Sequence, residues 1–187
     1  MIDLMLSVLP VLALMSSAVL LALAIYQLIN PGFSFWPPPE DQPRKKTAFI
    51  TLFRIVIYGL IFYSMLRIWY TGLPLFAPRT VLAVLFIICG FAIAFGATLA
   101  LGWGNAFGAK EGLRTEGIFR YSRNPIYIAT WIGLAGWALL IPEPIVVASL
   151  LNWALLYLAA IFLEERWLAQ EYEEKFHDYR ASVRRFF

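Results

Sequence analysis

Two short stretches of this 187-residue sequence hold residue types that could do chemistry together. In "GIFRYSRNPIYIATW", residues 117–131, Arg123, Asn124, Pro125, Ile126 and Tyr127 stand at the head of an apolar run. Further on, Glu164 and Glu165 close another such run. Asn124 suits an N-cap and Pro125 a first helical position, so the first stretch reads as a helix start. A donor-rich helix start at a membrane surface reads equally as a place to hold an anionic group. Carboxylates at the edge of a bilayer are costly unless something pairs with them. Their partners are either Arg166 and the arginines of 110–123, or a ligand whose hydroxyls or amino group donate to them. The two clusters flank one pair of apolar runs on the same side, so they can face each other across a single pocket.

The elements that must position these clusters are membrane helices. Hydrophobic residues make up 61% of the chain and charged residues 14%, far from the balance of a soluble domain. Runs long enough to cross about 30 Å of hydrocarbon lie at 4–29, 48–70, 80–101, 126–141 and 144–163. The last two are short, which suggests tilt or partial penetration, and only Pro142-Glu143-Pro144 separates them, so they form a tight helical hairpin. The expected fold is all-α, a single domain over 1–187: three spans in 1–101, then a C-terminal half, 102–187, with the hairpin and an amphipathic cytosolic tail. Met1-Ile2-Asp3 lacks a positive leader, so the first run reads as a retained span.

Basic residues give the orientation. Arg44, Lys45 and Lys46 follow span one, Lys110, Arg114, Arg120 and Arg123 follow span three, and Arg166, Lys175, Arg180, Arg184 and Arg185 follow span five. Only Arg79 falls in the loop after span two, so the N-terminus is expected outside and the C-terminus inside. Topology thus accounts for the net charge of +3, and no nucleic-acid motif is present. The stretch 30–46 is a Pro-rich interfacial connector, expected to be extended where its prolines cluster. In the tail, Leu168, Tyr172, Phe176, Tyr179 and Val183 make one apolar face, as in a helix lying on the inner membrane surface or packed on the core.

Other residues were weighed in the same way. Arg54 and Arg67 in span two are intramembrane charges, by default functional candidates, although both lie near enough to the ends to snorkel. Cys89 reads as a small packing residue, and Gly90, Gly96, Ala97 and Gly102 as sites of close helix approach. Cys89 and His177 are the single cysteine and histidine, which weighs against a zinc or haem site; His177 reads as solvated. Trp131, Trp137, Trp153 and Tyr157 read as interfacial or packing aromatics, with a pocket lining as the alternative.

With these residues in view, the chain resembles a known superfamily. "EGLRTEGIFRYSRNPIY" followed by "EERWLAQEYEEKFHDYRASVRRF" resembles the paired motifs of the isoprenylcysteine carboxyl methyltransferase and phospholipid N-methyltransferase superfamily. The family pattern is roughly L-x-x-x-G-x-Y-x-x-x-R-H-P-x-Y, a hairpin, then E-E-x-x-L-x-x-x-F-G-x-x-Y-x-x-Y-x-x-x-V-P-R. The resemblance implies S-adenosylmethionine as cofactor, held at the cytosolic face without a Rossmann domain. By position it implies that Glu111, Gly112, Leu113 and Arg114 border the cofactor, with Phe119 at the usual tyrosine position. Asn124, Pro125, Ile126 and Tyr127 would cover its amino acid part, Arg123 would support the loop, and Glu164 and Glu165 would bind its polar groups. The chain departs from the pattern where Asn124 replaces histidine, Tyr172-Glu173 replaces Phe-Gly, Phe176 replaces tyrosine and Arg184 replaces proline. Ala160 stands where prenylcysteine enzymes carry a substrate-contacting arginine, which weakens the case for a prenylcysteine substrate.

Methyl transfer from a sulfonium asks the protein mainly for alignment and a dry site, which suits a chain with one histidine and no triad. Arg123, Tyr127 and Arg54 are the candidates for contact with the reacting groups. The expected partners are membrane lipids and a lipophilic methyl acceptor, whether phospholipid, hydrophobic thiol or acid, arriving laterally between helices. The rival readings are a non-catalytic membrane module and a nicotinamide-dependent membrane reductase of similar C-terminal architecture.

Overall fold

Proline opens four helices of the computed structural model, which describes residues 2–38 and 42–186. These are α2 (Pro43–Thr71), α3 (Pro78–Leu101), α5 (Pro125–Leu140) and α6 (Pro144–Ser182). The missing N–H costs nothing in a first turn, and the fixed φ is already helical. They are joined by α1 (Ile2–Ile29), the short α4 (Trp103–Ala106) and a 3₁₀ turn at Gly117–Arg120. Gly72 and Gly102, with φ of 71° and 92°, stop α2 and α3 in conformations that side chains disfavour. Gly102 is therefore a helix stop more than the close-approach residue expected. No strand occurs among the described residues, and the fold is all-α. By length and composition α1, α2, α3 and α6 can each cross a membrane, whereas α5, at 16 residues, is shorter.

Glycine sets the packing of α3 on α5. A Cβ on Gly90 would lie 2.3 Å from the Gly133 nitrogen and 2.7 Å from the Ala129 carbonyl, so the two backbones touch there. Gly136 makes the same kind of contact with Ala83 and Ile87. Gly96 does not, because nothing lies within 4 Å of where its Cβ would be, and Cys89 is exposed on the outer face of α3 instead of packed. Helix α1 packs against both α2 and α6. The hairpin turn is anchored to α2: Glu143 accepts hydrogen bonds from Tyr63 and from Arg67, giving the second intramembrane arginine a partner.

The connector after α1 folds back beneath the bundle. Gln27 donates to the Trp36 carbonyl at 2.7 Å and accepts from the Phe35 and Trp36 amides at 2.8 and 2.7 Å. Phe35 is thereby buried against Phe49. The connector's central residues, 39–41, lie outside the described part. At the other end, α6 runs through Glu164 and Glu165 to Ser182, with one non-helical residue, Glu173, at φ 43° and ψ −116°. Its tail packs on the protein, the second of the two alternatives: Phe176 and Tyr179 are buried against Phe119, and the Tyr179 hydroxyl donates to the Phe119 carbonyl at 2.7 Å.

Candidate functional site

A cavity of about 240 Å³ opens where the start of α5 meets the middle of α6. Its walls include Gly112, Leu113, Arg114, Phe119, Arg123, Asn124, Pro125, Ile126, Tyr127, Glu164 and Glu165. The two clusters, 37 or more residues apart in sequence, do share one pocket: the Tyr127 hydroxyl donates to Glu164 Oε2 at 2.6 Å. The other Glu164 oxygen accepts no hydrogen bond from the described residues. Trp36 also lines the cavity, and its buried indole N–H has no hydrogen-bond partner among the described residues.

Glu165 is engaged differently. It accepts from Arg123 at 2.9 Å and from Arg185 at 2.8 Å, and the Arg123 and Glu165 side chains are only 8% and 11% exposed. Arg123 also donates to the carbonyls of Arg180 and Val183. The hydrogen bonds to Glu165, with the charge of its carboxylate, hold the Arg185 guanidinium above its ordinary value. Glu165 thus meets the pairing expected from the 110–123 arginines, while Arg166 turns away to the Leu28 carbonyl. Arg185 is a partner that sequence reasoning missed.

The last residues form a clasp over the start of α5. The Arg123 amide donates to the Arg184 carbonyl at 3.0 Å, and the Ser122 hydroxyl and Asn124 Nδ2 donate to the Arg185 carbonyl at 3.2 and 3.1 Å. Phe186 lies against Trp131. The Asn124 side-chain donor is thus spent on the clasp, and Asn124 makes no side-chain cap hydrogen bond to α5.

The loop at 105–114 is built by Asn105, which also escaped the sequence reading. Its Oδ1 accepts from the Glu111 amide at 3.0 Å, and its Nδ2 donates to the Gly112 carbonyl at 3.0 Å. The Gly112 amide donates to the Tyr172 hydroxyl at 3.3 Å, joining this loop to α6. Glu111 does not line the cavity, since its carboxylate lies against Gly104, where an added Cβ would be 2.0 Å from Oε1. Lys110 pairs with Glu171 at 2.5 Å.

The far wall is apolar and comes from the N-terminal half. Trp36, Phe49 and Phe53 stand there with Tyr157, and Phe53 packs edge-on to Trp153. Of the four aromatics weighed earlier, Tyr157 lines the cavity and the others pack: Trp131 bonds the Ala154 carbonyl, Trp137 bonds Ser64, and Trp153 is buried. Trp36 falls in the stretch read as a Pro-rich interfacial connector, and Phe49 and Phe53 fall in span two, where nothing in the sequence set them apart. Arg54 is the clear correction. It lines a separate groove with Leu9, Leu12 and Tyr58 and is not among the residues that line the cavity.

The family model described as phospholipid methyltransferase matches residues 78–175, just over half of the chain. No curated protein and no solved structure matches it.

Proposed function

We propose a reaction for this chain from one premise: it belongs to the phospholipid methyltransferase family. That membership implies an integral membrane methyltransferase acting on lipid-type substrates. The finer reading is transfer of a methyl group from S-adenosylmethionine to a lipophilic acceptor that arrives from the bilayer. The observation that carries it is Glu164, whose second oxygen, without a hydrogen-bond partner among the described residues, stands in one cavity with the apolar wall of Phe49, Phe53 and Tyr157.

The donor set fits the cofactor. A carboxylate accepts from an ammonium or from ribose hydroxyls, and aromatic walls suit a sulfonium cation. When bound, S-adenosylmethionine supplies a methyl group already activated for in-line displacement by the acceptor's nucleophile. Glu164 would hold its polar groups, with Tyr127 fixing the carboxylate through the opposite oxygen. Arg123, Glu165 and Arg185 form an ion-pair cluster that would hold the polar end of the cavity in place. Trp36, Phe49 and Phe53 take the acceptor's apolar part and keep water out, so alignment and exclusion are the chain's contribution. Ala160, buried beside Tyr127, offers no cation for a prenylcysteine carboxylate.

Calorimetric titration of S-adenosylmethionine, its demethylated product and NADPH into detergent-purified protein tests the cofactor. Binding of NADPH alone would move the chain to the reductase reading. Radiolabelled S-adenosylmethionine with extracted lipids, and separately with a farnesylated cysteine analogue, tests the acceptor. Efficient methylation of the analogue overturns the substrate argument, and tight cofactor binding without transfer to any extract overturns catalysis. The charge distribution supports an outside N-terminus and a cytosolic C-terminus. Cysteine labelling that finds positions 143 and 175 on one face overturns that orientation.

A further inference from the structure

A cation within the apolar part of the bundle, Arg54, has no partner among the described residues. Arg54 is exposed on α2, makes no hydrogen bond or ion pair among the described residues, and stands about 9 Å inside the apolar part of the helix, counted from Ala48. A guanidinium at that depth needs an anion or must stretch to the interface. Around it runs a groove of about 400 Å³ between α1 and α2, whose other walls are Leu9, Leu12, Ile55, Gly59 and Phe62. Two hydroxyls share its face, those of Thr51 and Tyr58, one turn to either side of Arg54, and neither has a hydrogen-bond partner among the described residues. Thr51 lies towards the Pro43 end of the helix, whereas Tyr58, Gly59 and Phe62 lead towards mid-membrane.

We propose that this groove is a second lipid site that holds one glycerophospholipid. The phosphate pairs with Arg54 and accepts from Thr51, and an acyl chain runs past Tyr58 and Gly59 to Phe62. Three observations converge on that occupant. The cation calls for an anion, and phosphate, at the edge of the apolar layer, is the anion a bilayer offers within reach of an arginine side chain extended towards Thr51. The hydroxyls supply donors of the right reach for phosphate or ester oxygens. The remainder of the groove is apolar and elongated along the helix, as an acyl chain requires. A lipid seated there is not the methyl acceptor, because the groove and the cavity share no lining residue, and at about 100° per residue Thr51, Tyr58 and Phe62 lie roughly 140–180° from Phe49 and Phe53, which face the cavity. The site is therefore separate from the proposed reaction and stands or falls independently of it.

The test uses the full chain in lipid-free detergent with two photoreactive probes at equal dose: a phosphatidylglycerol with a diazirine on its acyl chain, and the matching diacylglycerol without phosphate. Labelled positions are mapped by mass spectrometry. The phosphatidylglycerol probe should label Leu9, Leu12 and Phe62 well above the exposed Leu82 and Leu85 of α3. Removing the phosphate, or substituting Arg54→Gln, should each cut groove labelling by about tenfold, the loss expected for a charge-assisted hydrogen bond. Arg79→Gln, which removes a cation elsewhere, should leave it intact. Equal groove labelling by the two probes, or undiminished labelling in Arg54→Gln, overturns the site and leaves Arg54 snorkelling to water. Should Arg54→Gln fail to fold, the probe comparison on the unaltered chain decides alone.

Discussion

Substituting the adjacent carboxylates one at a time should produce two different failures. Glu165→Ala removes the acceptor of both Arg123 and Arg185. Arg185, with a third of its side chain exposed, can turn to water, but Arg123, at 8% exposed, keeps the carbonyls of Arg180 and Val183 as its side-chain partners among the described residues. Removing one partner of a buried ion pair costs about 3–5 kcal/mol, and the two remaining carbonyls place this case near the lower end. Glu164→Gln behaves otherwise, since the amide oxygen still accepts from the Tyr127 hydroxyl, and stability should change by less than about 1 kcal/mol. What it loses is charge on the oxygen that meets the ligand, so S-adenosylmethionine affinity should fall by about tenfold or more. Unfolding in mixed micelles gives the first quantity and calorimetry the second. A Glu165→Ala protein that unfolds like wild type yet has lost cofactor would refute the reasoning, as would a folded Glu164→Gln protein with unchanged affinity.

Three more outcomes follow from the geometry. Gly90→Ala should destabilise by about 1–3 kcal/mol, because backbone atoms of Gly133 and Ala129 block the new methyl, whereas Gly96→Ala, with nothing within 4 Å, should be neutral or stabilising by about 0.5–1 kcal/mol; denaturant titration distinguishes them. Glu173→Gly should stabilise by about 1 kcal/mol in the same assay, since φ 43° with ψ −116° strains any residue with a Cβ. At Glu143, partial burial pushes the carboxyl up, but hydrogen bonds from Tyr63 and Arg67 and the guanidinium charge outweigh it and hold the group below the ordinary carboxylate range. Its contribution is therefore complete above the ordinary range and lost as pH falls through the depressed value, so acid melting curves should flatten in Glu143→Gln and a parallel loss in both proteins would count against it.

Much of this arrangement was legible in the residues, and the failures share a cause. Helix positions follow from apolar length, and the pairing of 123–127 with 164–165 follows from their places at one end of a hairpin. Arg54 was a candidate for contact with the reacting groups although it does not line the cavity, because a membrane helix is apolar all round and periodicity does not reveal which side is buried. For the same reason Phe49 and Phe53 gave no sign that they formed the cavity wall. The clasp escaped because it is held chiefly by carbonyls of Arg184 and Arg185, which any residue supplies. The departure at Tyr172-Glu173 was visible, but only the backbone gives it meaning. Glu173 holds a positive φ at the position where the family pattern has glycine, so the bend in α6 is made without the residue that adopts it easily.

That bend helps the tail do two jobs from one helix. Neighbouring residues on α6 point about 100° apart, so the Glu164-Glu165 pair cannot serve one partner. Glu164 turns to Tyr127 and the cavity, and Glu165 turns to Arg123 and the returning C-terminus. Beyond Glu173 the same helix places Phe176 and Tyr179 on Phe119 and brings Arg185 back to Glu165. The loop at 105–114 reaches α6 through Tyr172, just before the bend. Each wall of the polar end is therefore tied to α6 on one side or the other of that residue. A change in the tail should consequently be felt at Glu164 through the orientation of its neighbour, even where the altered residue touches no ligand.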